Sequence, residues 1–461
     1  MRIAHVTDCY LPRLGGIELQ VHDLASRQAA RHEVTIFTIT GGSAPGSGGA
    51  AAGAREGGGV EVVNVGSPRR VVGAAEVSGS SGPRRAAPSM RIVGQPAEKI
   101  RYRRARFGPA RVAASEFDIV HVHASSFSPL AFLVARNASR RGVPTVATVH
   151  SMWAKASPLF DGADLLCGWG DWPVAWSAVS NAAARPLRDI VGRRGDVTVL
   201  ANGVDPSQWE VNPVLPSPNE LRIVAVSRLA SRKRVVQLAH ILRRARTILP
   251  ASARLNVEIL GDGPQMAEMA SYLDVHGMAG WVHLRGRASR AEIRSVFAGS
   301  DLFVAPASLE SFGIAALEAR SAGLPVLART GTGVADFIRH GIEGWLVDSD
   351  VAMSETIVSL ARSPEILARV AVHNRIQPSA VNWVAVERSC QRLYERAARI
   401  QGRRGGGALP REIGDVFSGG GSPGVSFGVR SGGRFGVPSG GGFGVPSGVP
   451  SDRSLGGGAT R

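Results

Sequence analysis

The feature that most limits the fold is an alternation, repeated twice, of short apolar runs with longer stretches of helical periodicity. Arg2–Thr7, Val34–Ile39, Val60–Val65, Asp118–His123, Thr145–Val149 and Val174–Val179 read as strands. Leu19–Ala30, Pro129–Arg140 and Asn181–Val191 read as helices between them. Apolar strands separated by helices are covered on both faces, which is the parallel-sheet arrangement. The pattern stops at Asp205–Glu220, where Pro213, Pro216 and Pro218 exclude a regular element. It restarts with strand candidates at Arg222–Ser227, Asn256–Leu260, Val282–Leu284, Leu302–Ala305, Pro325–Ala328 and Trp345–Val347. A chain of 461 residues is too long for one core. The expectation is an α/β protein of two Rossmann-like domains, 1–205 and 221–380, joined by a linker at 206–220. A helical segment over 381–401 and a low-complexity tail over 402–461 follow.

Composition narrows the class. Hydrophobic residues are 44% and charged residues 20%, which excludes a wholly disordered chain. No apolar run reaches the ~18 residues of a membrane span, and polar residues come too early at the N-terminus for a secretory signal. Cys9, Cys167 and Cys390 lack metal spacing and fit a reducing, cytoplasmic setting. The net charge of +17 raises a nucleic-acid or membrane-surface reading. It is discounted because lysine occurs only as Lys99, Lys155 and Lys233, so arginine bias carries the excess, and no aromatic-plus-basic stacking motif accompanies it. Segments 41–59 and 67–89 read as flexible loops. The tail repeats Phe-Gly-Val at Phe427, Phe435 and Phe443 and reads as disordered, with an interaction tail as the sharper alternative.

Within this frame a few residues bear chemistry. Ala305–Glu318 runs from a strand into a helix, so N–H groups near Phe312, Gly313 and Ile314 are unpaired donors suited to an anion. Glu310 precedes that helix and Glu318 lies in it. Eight helical residues span ~12 Å, so one carboxylate can take sugar hydroxyls and the other ribose hydroxyls. Taken alone, two such glutamates also fit a solvent-facing pair. Arg228 and Lys233 follow the first strand of the second half, where open parallel sheets bind ligands, and suit a pyrophosphate as fork and point charge. A solvated helix start is the alternative. Gly15-Gly16 occupies the matching place after the first strand, as a phosphate cradle or a plain turn. His150 ends the run Val146–Val149 and points toward the interdomain cleft or packs as a cap. His121 and His123 share one strand face, but without a third ligand the structural role is favoured and no metal is expected.

These residues, in order, resemble retaining glycosyltransferases of family 4, which have the GT-B fold. The matching pieces are Gly15-Gly16, Arg31-His32-Glu33-Val34, Thr148-Val149-His150, Asn202-Gly203-Val204-Asp205, Arg228 with Lys233, and Gly261-Asp262-Gly263-Pro264. They continue with Glu310-Ser311-Phe312-Gly313, Glu318, Ala322-Gly323-Leu324-Pro325-Val326, Asn382-Trp383 and Tyr394. Departures are Arg31 in place of a glycine, Asp336 where a glutamate is commoner, and the long insertion at 41–59.

The resemblance implies two domains facing each other across a cleft, with the 381–401 helix crossing back to the first. It implies a nucleotide-sugar donor, UDP- or GDP-linked, and a hydroxyl acceptor, lipid-linked ones included. Arg228 and Lys233 would neutralise the departing diphosphate, Glu318 would bind ribose, and Glu310 would bind the donor sugar. N–H groups of Phe312, Gly313 and Ile314 would support sugar and phosphate, and Gly15 and Gly16 would bring the first domain against the phosphate. His150 would contact the sugar near the reaction centre, and backbone near Arg287 would read the base. Transfer would be retaining and metal-independent, without cofactor. The basic stretch 97–114 would rest on the inner face of a membrane or stay solvated. Rival readings are a non-catalytic sugar-nucleotide binder and a charge-driven membrane or nucleic-acid binder.

Overall fold

In the computed structural model the described residues are 1–13, 15–40, 60–65, 116–153, 157–192, 196–213 and 219–405, with backbone alone at 101–104, 157, 404 and 405. The expected loops at 41–59 and 67–89, the basic stretch 97–114 apart from that backbone, and the tail beyond 405 lie outside them.

Two parallel sheets carry the fold. The first contains β1 (Arg2–Thr7), β2 (Glu33–Thr38), β3 (Glu61–Asn64), β4 (Arg101–Arg104), β5 (Ile119–Ala124), β6 (Thr145–Val149), β7 (Val174–Ala178) and β8 (Thr198–Val199). Their order is β4-β3-β2-β1-β5-β6-β7-β8. The second contains β9 (Glu220–Val226), β10 (Arg254–Leu260), β11 (Val282–Gly286), β12 (Leu302–Ala305), β13 (Val326–Arg329) and β14 (Gly344–Val347), in the order β11-β10-β9-β12-β13-β14. Every pairing is parallel. The central strands β5 and β6 are buried throughout, as strands covered on both faces must be.

One strand is missing from the sequence reading. Residues 101–104, within the basic stretch 97–114, form β4 and pair with β3 from Glu61 opposite Arg101 to Asn64 opposite Arg104. An arginine-rich tetrad lacks apolar alternation, and edge strands tolerate such charge.

In the first lobe α1 (Gly16–Ala29), α2 (Pro129–Arg140), α3 (Ser157–Cys167) and α4 (Asn181–Val191) connect the strands. The second lobe has α5 (Val235–Ile248), α6 (Met266–Val275), α7 (Arg290–Ala298), α8 (Ile314–Ser321), α9 (Asp350–Arg362) and α10 (Pro364–Ile376). None of the helices among the described residues is long and apolar enough to cross a membrane.

The last helix, α11 (Trp383–Gly405), packs on the first lobe although it follows the second in sequence. Trp383, Leu393, Tyr394 and Ala397 are buried in one cluster with Ile3, Val21, Ile119 and Val146. Its entry is set by Gly203. Gln20 Nε2 donates to the Gly203 carbonyl at 3.0 Å, and Gly203 N–H donates to Gln20 Oε1 at 2.9 Å. Trp383 N–H donates to the Val204 carbonyl at 3.2 Å. A Cβ on Gly203 would stand 2.4 Å from the Trp383 ring, and the Arg27 guanidinium lies 5.1 Å from that ring's centre.

The Gly203→Ala variant is therefore expected to lose ~1–3 kcal/mol, the usual cost of overpacking, in urea unfolding of the full chain. Unchanged stability would mean that Trp383 is not held there.

Candidate active site

Each sheet has one place where neighbouring strands lead their connections in opposite directions, between β1 and β5 in the first and between β9 and β12 in the second. A crevice opens at the carboxyl ends of such strands. Gly15 and Gly16 follow β1, His150 follows β6, Arg228 and Lys233 follow β9, and Glu310 to Ile314 follow β12.

Because β9 and β12 pair directly, Ile223 opposite Leu302 and Val224 opposite Phe303, their loops emerge side by side. Lys233 ends a single 3-10 turn, Ser231–Lys233, and its Nζ donates to Glu310 Oε2. The two side chains are 20% and 16% exposed, dry enough for the pair to be more than a surface contact. Arg234 then takes a left-handed φ of 58° and bonds Asp350 at 2.5 Å, so it turns away and leaves Lys233 toward Glu310. Arg228 is exposed, and its side chain has no partner among the described residues. The loop that bears it is fixed by backbone bonds to the Gly261–Pro264 turn. Leu229 N–H donates to the Asp262 carbonyl, and Gln265 N–H donates to the Leu229 carbonyl, both at 3.0 Å.

Gly313 has φ +92°, and a Cβ there would stand 2.6 Å from Val334 Cγ2. Only glycine lets the chain turn at this point into α8. Gly333 N–H donates to the Glu310 carbonyl at 2.9 Å, pinning the carboxylate's own backbone. The Phe312 side chain is buried against Phe337, with ring centres 5.4 Å apart, so its backbone is what the site can use. Ile314 closes on the first lobe, with Cδ1 3.1 Å from where a Gly16 Cβ would be.

Glu318 sits where the lobes approach. Asp23 of α1 and Arg290 of α7 pair across the seam at 3.4 Å. Burial pushes the Glu318 carboxyl up to about 8; Arg290 pulls it down, and Asp23 pushes it further up. The uncharged acid is therefore favoured at neutral pH until something supplies compensating hydrogen bonds.

Two further bonds cross the seam, and nothing in local sequence pattern indicates them. Ser180 Oγ donates to the Ser311 carbonyl at 2.5 Å, and Asn181 N–H donates to Asp336 Oδ2 at 2.7 Å. Asp336, noted above as a departure, thus holds the start of α4. Arg287 is exposed just after β11, an edge strand, with Nη2 3.7 Å from Asp262 Oδ2. The turn at Gly15 and Gly16 holds a carboxylate of its own: Glu18 Oε2 would lie 2.4 Å from a Gly15 Cβ, and Glu18 pairs with Arg13 at 3.5 Å.

His150 is 9% exposed, and its Nε2 lies 3.0 Å from His123 Nδ1. The sequence offered no third partner for His121 and His123. The structure supplies His5, set opposite His121 by the β1–β5 register, and ring nitrogens of these three lie within 4.8 Å of one another. Each of the six nitrogens already has a hydrogen-bond partner, so a cation would have to displace those bonds. The cluster forms a hydrogen-bonded core. Its signal was present only in the register.

A family profile described as Glycosyltransferase Family 4 matches residues 14–208, and one described as Glycosyl transferases group 1 matches residues 207–375. The phosphatidyl-myo-inositol mannosyltransferase of Mycolicibacterium smegmatis is 28% identical over 309 residues, 63% of this chain and 76% of the relative. The D-inositol 3-phosphate glycosyltransferase of Thermobispora bispora is 27% identical over 317 residues, 61% of this chain and 71% of the relative. Among solved structures, Anabaena HepE in complex with UDP and glucose superposes with a TM-score of 0.60 at 16% identity, covering 86% of this chain and 99% of that one.

The Glu318 carboxyl generates a prediction. Free glutamate loses its proton near 4.5, whereas the folded chain holds it to about 8. This contribution to stability is complete below pH 4.5 and is lost as pH rises through 8. Glu318→Gln removes it, so thermal unfolding of the variant relative to the unsubstituted chain should shift upward steadily from pH 5 to 8. A pH-independent difference would place Glu318 in a wetter setting.

Proposed function

We propose a reaction from one premise: the chain belongs to glycosyltransferase family 4, with the GT-B fold. In this reading a nucleotide sugar binds at the seam, and the protein moves its hexose to an acceptor hydroxyl with retention of configuration. The observation that carries the reading is the contact of Lys233 with Glu310 beside an unpaired Arg228, on two adjacent strand ends.

Breaking the anomeric C–O bond leaves extra negative charge on the diphosphate and positive charge on the sugar. Cations fixed at the leaving group stabilise that separation more than they stabilise the ground state. Lys233 and Arg228 serve there, with the N–H groups of Phe312, Gly313 and Ile314 at the start of α8. Glu310 already balances Lys233. When the diphosphate takes the ammonium, the carboxylate is free to accept from donor-sugar hydroxyls. Glu318 receives the ribose hydroxyls, which supply the hydrogen bonds its ionised form lacks. A diphosphate oxygen accepts the acceptor's proton on the face from which the diphosphate leaves, which gives retention. Charge neutralisation by side chains and backbone leaves no step that calls for a metal. Closure of the lobes excludes water and limits hydrolysis.

On the acceptor side, the two relatives named above act on inositol compounds, which supports a polyhydroxyl acceptor of that kind, free or lipid-linked. For a lipid-linked acceptor, the basic stretch 97–114 is the segment suited to an anionic membrane face.

A thermal-shift series with UDP, GDP and ADP tests the donor site. One of the three should raise the melting temperature by several degrees, and Lys233→Ala should abolish the shift. Glu310→Gln should keep the shift and lower donor turnover at least tenfold. A shift with DNA fragments and none with any nucleotide would replace this reading with a charge-driven binder.

A further inference from the structure

The buried side chains behind His150 form one connected circuit whose direction can be worked out. The parallel register places them on a single sheet face: His5 beside His121, His123 beside Thr148, and Thr148 beside Ser177. Gln28 of α1 and Tyr394 of α11 close over that face. Ser177 Oγ donates to the Ala147 carbonyl at 3.2 Å, and a carbonyl can only accept. Having spent its one proton, Ser177 must accept from Thr148 at 2.7 Å. Thr148 must then accept from His121 Nε2, also at 2.7 Å. His121 Nδ1 is left bare and takes the Tyr394 hydroxyl proton at 3.1 Å. Tyr394 accepts from Gln28 Nε2 at 3.0 Å, with a second donation toward Cys390 Sγ at 3.5 Å. This orients the Gln28 amide, so Oε1 accepts from His5 Nε2 at 2.7 Å. His5 Nδ1 accepts from His123 Nε2 at 2.9 Å, and His123 Nδ1 accepts from His150 Nε2 at 3.0 Å.

We infer that this circuit fixes His150 as the Nε2–H tautomer, so that His150 meets the donor with the lone pair of Nδ1 as a hydrogen-bond acceptor. Gln28, His5 and His123 are positioning residues that act through it. The opposite direction would reverse every proton, give Nδ1–H throughout, and lose the bonds from Ser177 to Ala147 and from Gln28 to Cys390. The circuit is all-or-none because an interior N–H without an acceptor is costly. Burial keeps the rings neutral: it lowers His5 and His150 to about 4 and moves His121 and His123 well down. Nδ1 of His150 has no partner among the described residues. Beside His150, on the same strand-end edge, Ser180 reaches Ser311 of the other lobe. A neutral acceptor there takes a donor hydroxyl and adds no positive charge next to the developing oxocarbenium.

The consequence for the donor rests on the transferase reading; the circuit itself does not. The test is two-bond proton–nitrogen correlation on the full chain labelled with 15N-histidine at pH 7, with His5, His121, His123 and His150 assigned by single substitution. All four should give the neutral Nε2–H pattern. An Nδ1–H or imidazolium pattern at His5, His123 or His150 overturns the inference. In Gln28→Met the acceptor for His5 is gone, so the His150 signal should move toward Nδ1–H. The KM for hydrolysis of the glucose donor of whichever nucleotide gives the melting shift should then rise about tenfold, while that melting shift stays unchanged. If His150 remains Nε2–H in that variant and KM does not move, the circuit does not govern His150. If the unsubstituted chain neither binds UDP, GDP or ADP nor hydrolyses a donor, the transferase reading fails, and the tautomer pattern still decides the circuit.

Discussion

Strand polarity is the constraint on which the rest depends. In a sheet whose strands all run one way, every carboxyl end opens at the same edge, and where the winding reverses the connecting loops part. Residues remote in sequence meet there without any pairing of their own. Lys233 and Glu310 belong to loops separated by two complete strand–helix units, yet they touch because β9 and β12 are neighbours. The first sheet repeats the device with β1 and β5. Two such edges turned toward each other give one seam, and α11, stitched onto the first lobe by Trp383 and Gly203, ties the second lobe back to it.

The seam stores charge in a compensated form. Lysine and glutamate hold each other, aspartate and arginine hold each other across the lobes, and Glu318 is held toward its protonated form because its burial outweighs the pull of Arg290. In the proposed reaction, a diphosphate and a ribose would exchange these internal contacts for contacts with the ligand. Arg228 alone stands exposed and, among the described residues, unpaired beside them; the buried charges of the seam need not be left uncompensated before or after binding.

The first lobe spends an unusual part of its interior on polar groups. One face of β1, β5, β6 and β7 carries apolar residues at its amino ends and histidine, threonine and serine toward its carboxyl ends. A dry polar row of this kind survives only when satisfied in full. None of the circuit's ring, hydroxyl or amide atoms is among the buried atoms without a partner. Such a row has a direction as well as a strength, and direction is what reaches the site.

Periodicity and composition were enough to indicate two parallel α/β domains, the strand-end loops bearing Arg228, Lys233 and Glu310, and the helix bearing Glu318, because these depend on patterns within a few residues. The edge strand at 101–104 escaped, since its partner and not its own pattern makes it a strand. His5 escaped as a member of the histidine cluster, and Ser180, Ser311 and Asp336 as seam contacts, because each acquires its role from a residue more than a hundred positions away. Sequence decides which side chains sit at the strand ends. Register and lobe closure decide which of them touch, which stay dry and which way their protons point, because those depend on distances that no local pattern records.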